Sequence, residues 1–258
     1  MKELSITFIQ TNLQWENPLK NRTYFSEKIQ EIAGKTDIII LPEMFTTGFS
    51  MNASKLAETM DGDTLQWMIS EAKKNNSALT GSVIISENGL YYNRLFFVYP
   101  DGSFETYDKR HTFTLAGEDK IYTAGSKRLI VAYKGWKICP LICYDLRFPV
   151  WARNTDEYDL LYYVANWPAK RINAWDALLK ARAIENMTYC LGVNRVGLDA
   201  NGHEYVGHSA AYDALGEQIS TTDFEKELVV TIVLQKKHLD THRARLQFLN
   251  DRDRFILE

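Results

Sequence analysis

The sequence predicts an α/β fold of two sheets with helices outside both, and three observations carry that prediction. Strand-like and helix-like runs alternate along the chain with no low-complexity linker between them. The run Asp37-Ile38-Ile39-Ile40-Leu41 is β-branched without alternation, as in a parallel strand buried on both faces. The second half of the chain, from about residue 129, repeats the sense of the first.

In order, Leu4 to Ile9 reads as a strand, Pro18 to Ile32 as a polar-rich helix and Asp37 to Leu41 as a strand. Asp63 opens a helix through Lys74, with Asp63 or Thr64 as its N-cap. Ala78 to Ser86 is a strand that Asn88-Gly89 turns into Tyr91 to Tyr99, and Asp101-Gly102 leads on to Ser103 to Tyr107. Leu129 to Tyr133 and a run ending at Cys143 are strands; a helix follows, then a strand over Leu160 to Ala165 and a long helix over Ala174 to Tyr189. Strands near Cys190 to Val196, Ser209 to Tyr212 and Leu228 to Leu234 complete the series. Pro140 removes a ladder donor inside the Cys143 strand, which predicts a bulge or an edge position there.

Composition fits one large core or at most two small ones: 258 residues, 45% hydrophobic and 24% charged. A net charge of −3 argues against an electrostatic nucleic-acid or membrane surface, so the partner is sought in a pocket. Cys139, Cys143 and Cys190 are odd in number and form no CxxC pair, which argues against a disulfide framework and against structural zinc and points to a reducing cytoplasm. Residues 1–8 lack the apolar stretch of a signal peptide, and no run reaches membrane-spanning length.

Three chemically conspicuous residues stand at strand ends. Cys143 ends the apolar run Trp136 to Ile142 and enters the polar turn Tyr144-Asp145-Leu146-Arg147, where a thiol is exposed beside free backbone N–H groups. Glu43 is delivered by the Ile38-Ile39-Ile40-Leu41-Pro42 strand, and Lys109 follows the hairpin-like stretch ending in Tyr107-Asp108. The bland alternative for any one cysteine in such a run is a small core hydrophobe.

At these positions the chain resembles the nitrilase superfamily of carbon–nitrogen hydrolases, whose Glu-Lys-Cys triad is carried on three separate segments. Leu41-Pro42-Glu43, Tyr107-Asp108-Lys109, Cys143-Tyr144-Asp145-Leu146-Arg147-Phe148-Pro149 and Ala181-Arg182-Ala183-Ile184-Glu185-Asn186 occur in family order over nearly the whole chain. The resemblance implies a single domain over residues 1–258, a four-layer α-β-β-α sandwich with two mixed sheets face to face, a homodimer, and no cofactor. It also implies that Glu118 orients the lysine and the substrate. Within the superfamily the chain looks most like the ω-amidases, which act on α-keto-acid monoamides. Tyr92-Asn93-Arg94-Leu95, Lys109-Arg110-His111-Thr112-Phe113, Ala165-Asn166-Trp167-Pro168-Ala169-Lys170-Arg171 and Val193-Asn194-Arg195-Val196-Gly197 carry that likeness. True nitrilases usually place Trp-Glu after the cysteine; here Tyr144-Asp145 follows, which favours amide over nitrile.

The chemistry asks for these residue types. A free thiol is only a few per cent thiolate at neutral pH, so attack on an amide needs a base, for which Glu43 is the candidate. The carbonyl oxygen becomes an oxyanion that the Lys109 ammonium and the Tyr144 backbone N–H together hold, each well-placed donor contributing about 3–4 kcal/mol. Ammonia leaves, and water activated by Glu43 hydrolyses the thioester.

A substrate carrying its own carboxylate needs a cation at the far end of the pocket, because the site already holds Glu43 and Glu118. Arg171 and Arg195 follow strand ends and are the candidates, with Tyr92, Phe113 and Trp167 as apolar walls that limit chain length. His111 is expected to shape the pocket, and Arg182 with Glu185, three apart on a helix, to form an ion pair. Alternatives are a general aliphatic amidase or nitrilase, a catalytically silent binding member of the fold, a Cys-His hydrolase, and a redox protein using Cys139 and Cys143. The last is disfavoured, since residues four apart on a strand lie ~13 Å from each other. No His/Cys/Asp cluster has metal-ligand spacing, so neither metal nor nucleotide is expected.

Overall fold

A computed structural model describes residues 2–32, 34–221 and 224–256. The first half contains β1 (Glu3–Gln10), α1 (Pro18–Glu31), β2 (Ile38–Ile40), α2 (Ala53–Leu56), α3 (Asp63–Asn75), β3 (Ala78–Glu87), β4 (Leu90–Val98) and β5 (Phe104–Asp108). The second contains β6 (Val131–Tyr133), β7 (Trp136–Ile142), α4 (Pro149–Ala152), β8 (Leu160–Val164), α5 (Ile172–Asn186) and β9 (Tyr189–Val193). The chain continues through β10 (Val196–Leu198), β11 (Glu204–Val206), β12 (Ala210–Tyr212), β13 (Leu228–Gln235) and α6 (Lys236–Leu246).

One sheet runs β13-β1-β2-β3-β4-β5 and the other β12-β9-β8-β7-β6, with β10 and β11 forming a separate hairpin. In each, a parallel core, β1-β2-β3 or β7-β8-β9, is flanked by antiparallel strands, so both sheets are mixed. Alternation along β2 shows how the layers stack. Ile38 and Ile40 join one continuous core with Ile138, Leu141, Leu160 and Tyr162 of the second sheet, whereas Ile39 packs with Phe25 and Ile29 of α1 and Met68 of α3. Across the sheet interface Thr80 and Tyr162 hydroxyls hydrogen-bond at 2.6 Å. On the outer side of the second sheet, Trp175, Leu179 and Ala183 of α5 complete the fourth layer. The four-layer expectation therefore holds.

Several element boundaries differ from the sequence reading. Gly62 is the N-cap of α3, and Glu58 accepts the Thr64 N–H at 2.6 Å, a capping role the sequence reading gave to Asp63 or Thr64 themselves. The helix expected over Ala174 to Tyr189 starts at Ile172 and stops at Asn186, because Met187 turns left-handed (φ 45°) and Tyr189 enters β9. The single strand expected over Cys190 to Val196 breaks at Asn194-Arg195 into β9 and β10. Helix α6 has no counterpart in the sequence reading: its residues are polar almost throughout and it buries only Leu239. Asn88 (φ 52°) and Gly89 (φ 78°) make the expected two-residue hairpin turn. Strand β6 pairs only with residues 136–138 of β7, so Pro140 pairs on one side alone, with Tyr162 of β8, and the missing N–H costs the ladder nothing. Arg182 and Glu185 form the expected ion pair at 2.8 Å, and Arg182, buried, also donates to the Leu146 carbonyl at 2.6 Å. Among the described residues no helix is long and apolar enough to cross a membrane.

Candidate active site

Three strand ends deliver Glu43, Lys109 and Cys143 to one place. Glu43 follows β2 and is fully buried; Met44 behind it is held left-handed (φ 43°), its N–H bonded to Ser82 Oγ at 2.8 Å. Lys109 follows β5, and its N–H continues the ladder to the Asn93 carbonyl at 3.0 Å. Cys143 follows β7 and is itself left-handed (φ 43°), opening a short 3-10 turn over Cys143–Arg147. A non-glycine residue in that region is strained, and here the sharp strand-to-helix turn lifts the thiol out of the sheet.

Asp145 holds that turn. One of its oxygens accepts the Ile142 N–H at 3.0 Å and the Tyr107 hydroxyl at 2.7 Å; the other accepts the His111 N–H at 3.0 Å and faces His111 Nδ1 at 2.8 Å. The turn that carries Cys143 is thus pinned to the segment that carries Lys109. His111 stacks on Phe148 at 3.7 Å and does not line the pocket, so its expected pocket role is corrected to a structural one.

Lys109 Nζ donates to Glu43 Oε1 at 2.9 Å and to both Glu118 oxygens at 2.9 Å. Glu118 reaches it from the loop after β5, where Gly117 (φ 73°) turns the chain and the Phe113 N–H closes on Glu118 Oε2 at 2.5 Å. Asn93 Nδ2 bonds Glu43 Oε1 at 2.8 Å and lies 3.4 Å from Glu118 Oε1. Glu43 Oε2 receives one N–H, from Asn166, at 2.9 Å. The Cys143 thiol lies beside that same residue, 3.9 Å from the Asn166 carbonyl oxygen. Oε1 is therefore taken by Lys109 and Asn93, and Oε2 retains acceptor capacity for a proton.

Burial sets the electrostatics. Burial pulls the Lys109 ammonium toward neutrality, but Glu118 and Glu43 outweigh it and hold its pKa above the ordinary lysine value. Burial raises the Glu118 carboxyl, and Glu43 adds to that against the pull of Lys109. Burial pushes the Cys143 thiol well above its usual range; Glu43 raises it further and Lys109 opposes. Cys143 therefore rests as a thiol, and could act as a nucleophile only with a base to remove its proton during attack.

The site opens into a cavity of about 910 Å³. Cys143, Tyr144, Lys109, Phe113, Trp167 and Arg171 all line it. Glu43 and Glu118, fully buried and bonded to Lys109, do not, and neither do two of the substrate-contact candidates. Tyr92 lies under the Arg94 guanidinium, 5.0 Å from ring centre to cation, on the opposite face of β4 from Asn93. Arg195 is fully buried behind the pocket wall: it stacks over Tyr205 at 4.7 Å and donates to Asn12 Oδ1 at 2.9 Å and the Leu198 carbonyl at 3.1 Å.

Four residues were given no role in the sequence reading: Asn93, Asn166, Asp145 and Arg147. Asn166 has a signal that the sequence does carry, a polar side chain just after the apolar run Leu160 to Ala165, whereas Asn93 stands beside Arg94 in β4 and has none. Arg147 lines the cavity with its guanidinium 4.8 Å over Trp167, and Arg171 sits 4.9 Å over Phe113. Among the described residues neither arginine has a carboxylate partner. No group of three or more His, Cys, Asp or Glu among the described residues is arranged to hold a metal ion.

Comparison with known proteins agrees with this architecture. The carbon-nitrogen hydrolase family model matches residues 6–242. An omega-amidase, YafV, from Escherichia coli K12 is 44% identical over 257 residues covering 100% of both chains. A 2-oxoglutaramate amidase from Bacillus subtilis is 32% identical over 233 residues, 87% of this chain and 88% of that one. The crystal structure of XC1258 from Xanthomonas campestris, a CN-hydrolase superfamily protein with an arsenic adduct in its active site, superposes with a TM-score of 0.98 at 43% identity, covering 100% of both chains. With its family model spanning both sheets, this chain belongs to the carbon–nitrogen hydrolase family.

Proposed function

We propose that the chain is an ω-amidase, hydrolysing the terminal amide of a short dicarboxylic acid monoamide such as 2-oxoglutaramate to the dicarboxylate and ammonia. The observation that carries this reading is the pairing of Glu43, Lys109, Glu118 and Cys143 at one end of the cavity with two arginines free of carboxylate partners lining the same cavity. The amidase and 2-oxoglutaramate amidase named above support it.

Cys143 attacks the carbonyl carbon as Glu43 Oε2 takes the thiol proton. The oxyanion forms between Lys109 Nζ and the Tyr144 N–H. Glu43 returns the proton to the departing nitrogen, ammonia leaves, and a thioester remains. Glu43 then activates water against the thioester, which releases the acid and restores the thiol. Glu118, through its two contacts, keeps Lys109 charged and aimed throughout.

Arg171 and Arg147 take the substrate carboxylate, and Trp167 and Phe113, over which they stack, limit chain length. Arg171→Ala is expected to raise KM for 2-oxoglutaramate roughly 10- to 150-fold, about 1.5–3 kcal/mol for a hydrogen-bonded charge, while sparing an uncharged amide of equal length. Steady-state kinetics on the two substrates checks this. Equal turnover of the two by the wild type would leave only the general amidase reading. A second expectation concerns metals: dialysis against EDTA leaves ammonia release unchanged, because the oxyanion donors are an ammonium and a backbone N–H. Loss of activity that zinc restores would overturn the mechanism.

A further inference from the structure

The cavity is larger than the proposed substrate requires. About 910 Å³ is the scale of a site for a drug-sized ligand, whereas a five-carbon monoamide has about ten heavy atoms. Its walls also differ in charge. Arg147 and Arg171 stand on the side of Cys143 and Tyr144, since the Phe113 ring under Arg171 packs 4.9 Å from the Tyr144 ring. Glu16 stands on the side of Lys109: Ser50 Oγ bonds Glu16 Oε1 at 2.5 Å, and Phe49, next in the chain, has its ring 5.2 Å from Lys109 Nζ.

Glu16 has the marks of a placed group. Its backbone is left-handed (φ 49°), a cost that a non-glycine residue bears only where its surroundings hold it there. Asn52 Nδ2 donates to its second oxygen at 3.3 Å, so both oxygens are oriented by side chains that line the cavity. Among the described residues no cation pairs with it. Two other carboxylates line the cavity: Asp199 is already occupied, accepting the Asn201 and His203 N–H groups at 2.9 Å each and the Tyr205 hydroxyl at 3.1 Å, and Glu204 is exposed on β11, which packs against the 169–171 turn that carries Arg171. Asn52 Oδ1 and the Trp15 indole complete a wall suited to an ammonium group.

We propose that Glu16 forms a second recognition subsite, for a cationic chain carried on the amide nitrogen, so that the enzyme also cleaves N-(aminoalkyl) monoamides of dicarboxylic acids. This rests on the ω-amidase reading. The carboxylate of the acyl half meets Arg147 and Arg171, the scissile carbonyl lies between Cys143 and Lys109, and the ammonium of the leaving half meets Glu16. An ammonium on the same carbon as the carboxylate would be drawn to the arginine wall instead, so the chain on nitrogen is the part that reaches Glu16. The chemistry balances as for the primary amide. The Cys143 S–C bond forms, the C–N bond breaks, and the amine leaves with the proton from Glu43. Water then converts the thioester to the acid, so one amide and one water give one acid and one diamine.

The test compares the N-(4-aminobutyl) and N-butyl monoamides of glutaric acid, which share a four-carbon chain and differ in the terminal ammonium group. The wild type is expected to cleave the aminobutyl compound with kcat/KM at least tenfold above the butyl compound, releasing the diamine, and Glu16→Gln is expected to bring the two to parity. A wild-type ratio near one, or no cleavage of either, overturns the subsite without need of any variant. A ratio above ten that survives in Glu16→Gln overturns the assignment to Glu16. Ammonia release from 2-oxoglutaramate by the same wild-type preparation reads the amidase assignment separately.

Discussion

Cys143→Ala is expected to reduce ammonia release from 2-oxoglutaramate by at least about 10⁴-fold while leaving the fold intact, and Glu43→Gln to do nearly the same. The two groups act as one unit. Without the sulfur there is no covalent step, and without a carboxylate at position 43 a thiol whose pKa burial has raised keeps its proton. Because the groups are coupled, the double variant should be scarcely worse than either single one. Neither substitution should unfold the protein, since Cys143→Ala removes a single sulfur atom and after Glu43→Gln the Lys109 ammonium keeps its pairing with Glu118. Circular dichroism checks the fold, and kcat/KM checks the loss.

Lys109→Ala is expected to fail differently, losing both turnover and stability. Lys109 is the cation between two carboxylates that are each fully buried. Removing one partner of a buried ion pair costs about 3–5 kcal/mol, because the charge left behind is unpaired and out of water. For a chain of this size that corresponds to a fall in Tm of roughly 6–20 °C. The pH dependence has a defined sign. Glu118 titrates above its ordinary value in the fold, so its ionised form costs stability at neutral pH and protonation relieves that cost. Without Lys109 the cost grows, so the deficit of the variant should be largest near neutral pH and shrink on acidification. Thermal melts of both proteins at several pH values check this, and a deficit that does not change with pH would contradict the account of the buried pair.

The candidate catalytic residues were legible in the sequence because each breaks a local rule. A carboxylate after four aliphatic residues, a lysine after a hairpin strand and a thiol between an apolar strand and a polar turn are all conspicuous without coordinates. What the sequence hid was direction. Tyr92 and Asn93 are adjacent, yet the pleat sends them to opposite faces, and Asn93 is the one that reaches Glu43. Arg195 and Arg147 looked no different as arginines near strand ends. The break between β9 and β10 folds Arg195 back onto Asn12 and Tyr205, whereas the 3-10 turn after Cys143 sets Arg147 on the cavity wall. Those directions follow from φ and ψ in irregular segments, where left-handed residues such as Cys143 and Met187 carry no glycine to announce them.

The covalent intermediate is the centre of the account, and mass spectrometry of the enzyme quenched in acid during turnover of 2-oxoglutaramate tests it most directly. Trypsin places Cys139 and Cys143 on one peptide, residues 138–147, so fragment ions must separate them. The account predicts the acyl mass, the substrate less ammonia, on Cys143. Cys139 and Cys190 are fully buried and, unlike Cys143, do not line the cavity, so both should stay unmodified. An acyl mass on Cys139 or Cys190, or continued ammonia release by Cys143→Ala with no adduct in the wild type, would contradict it.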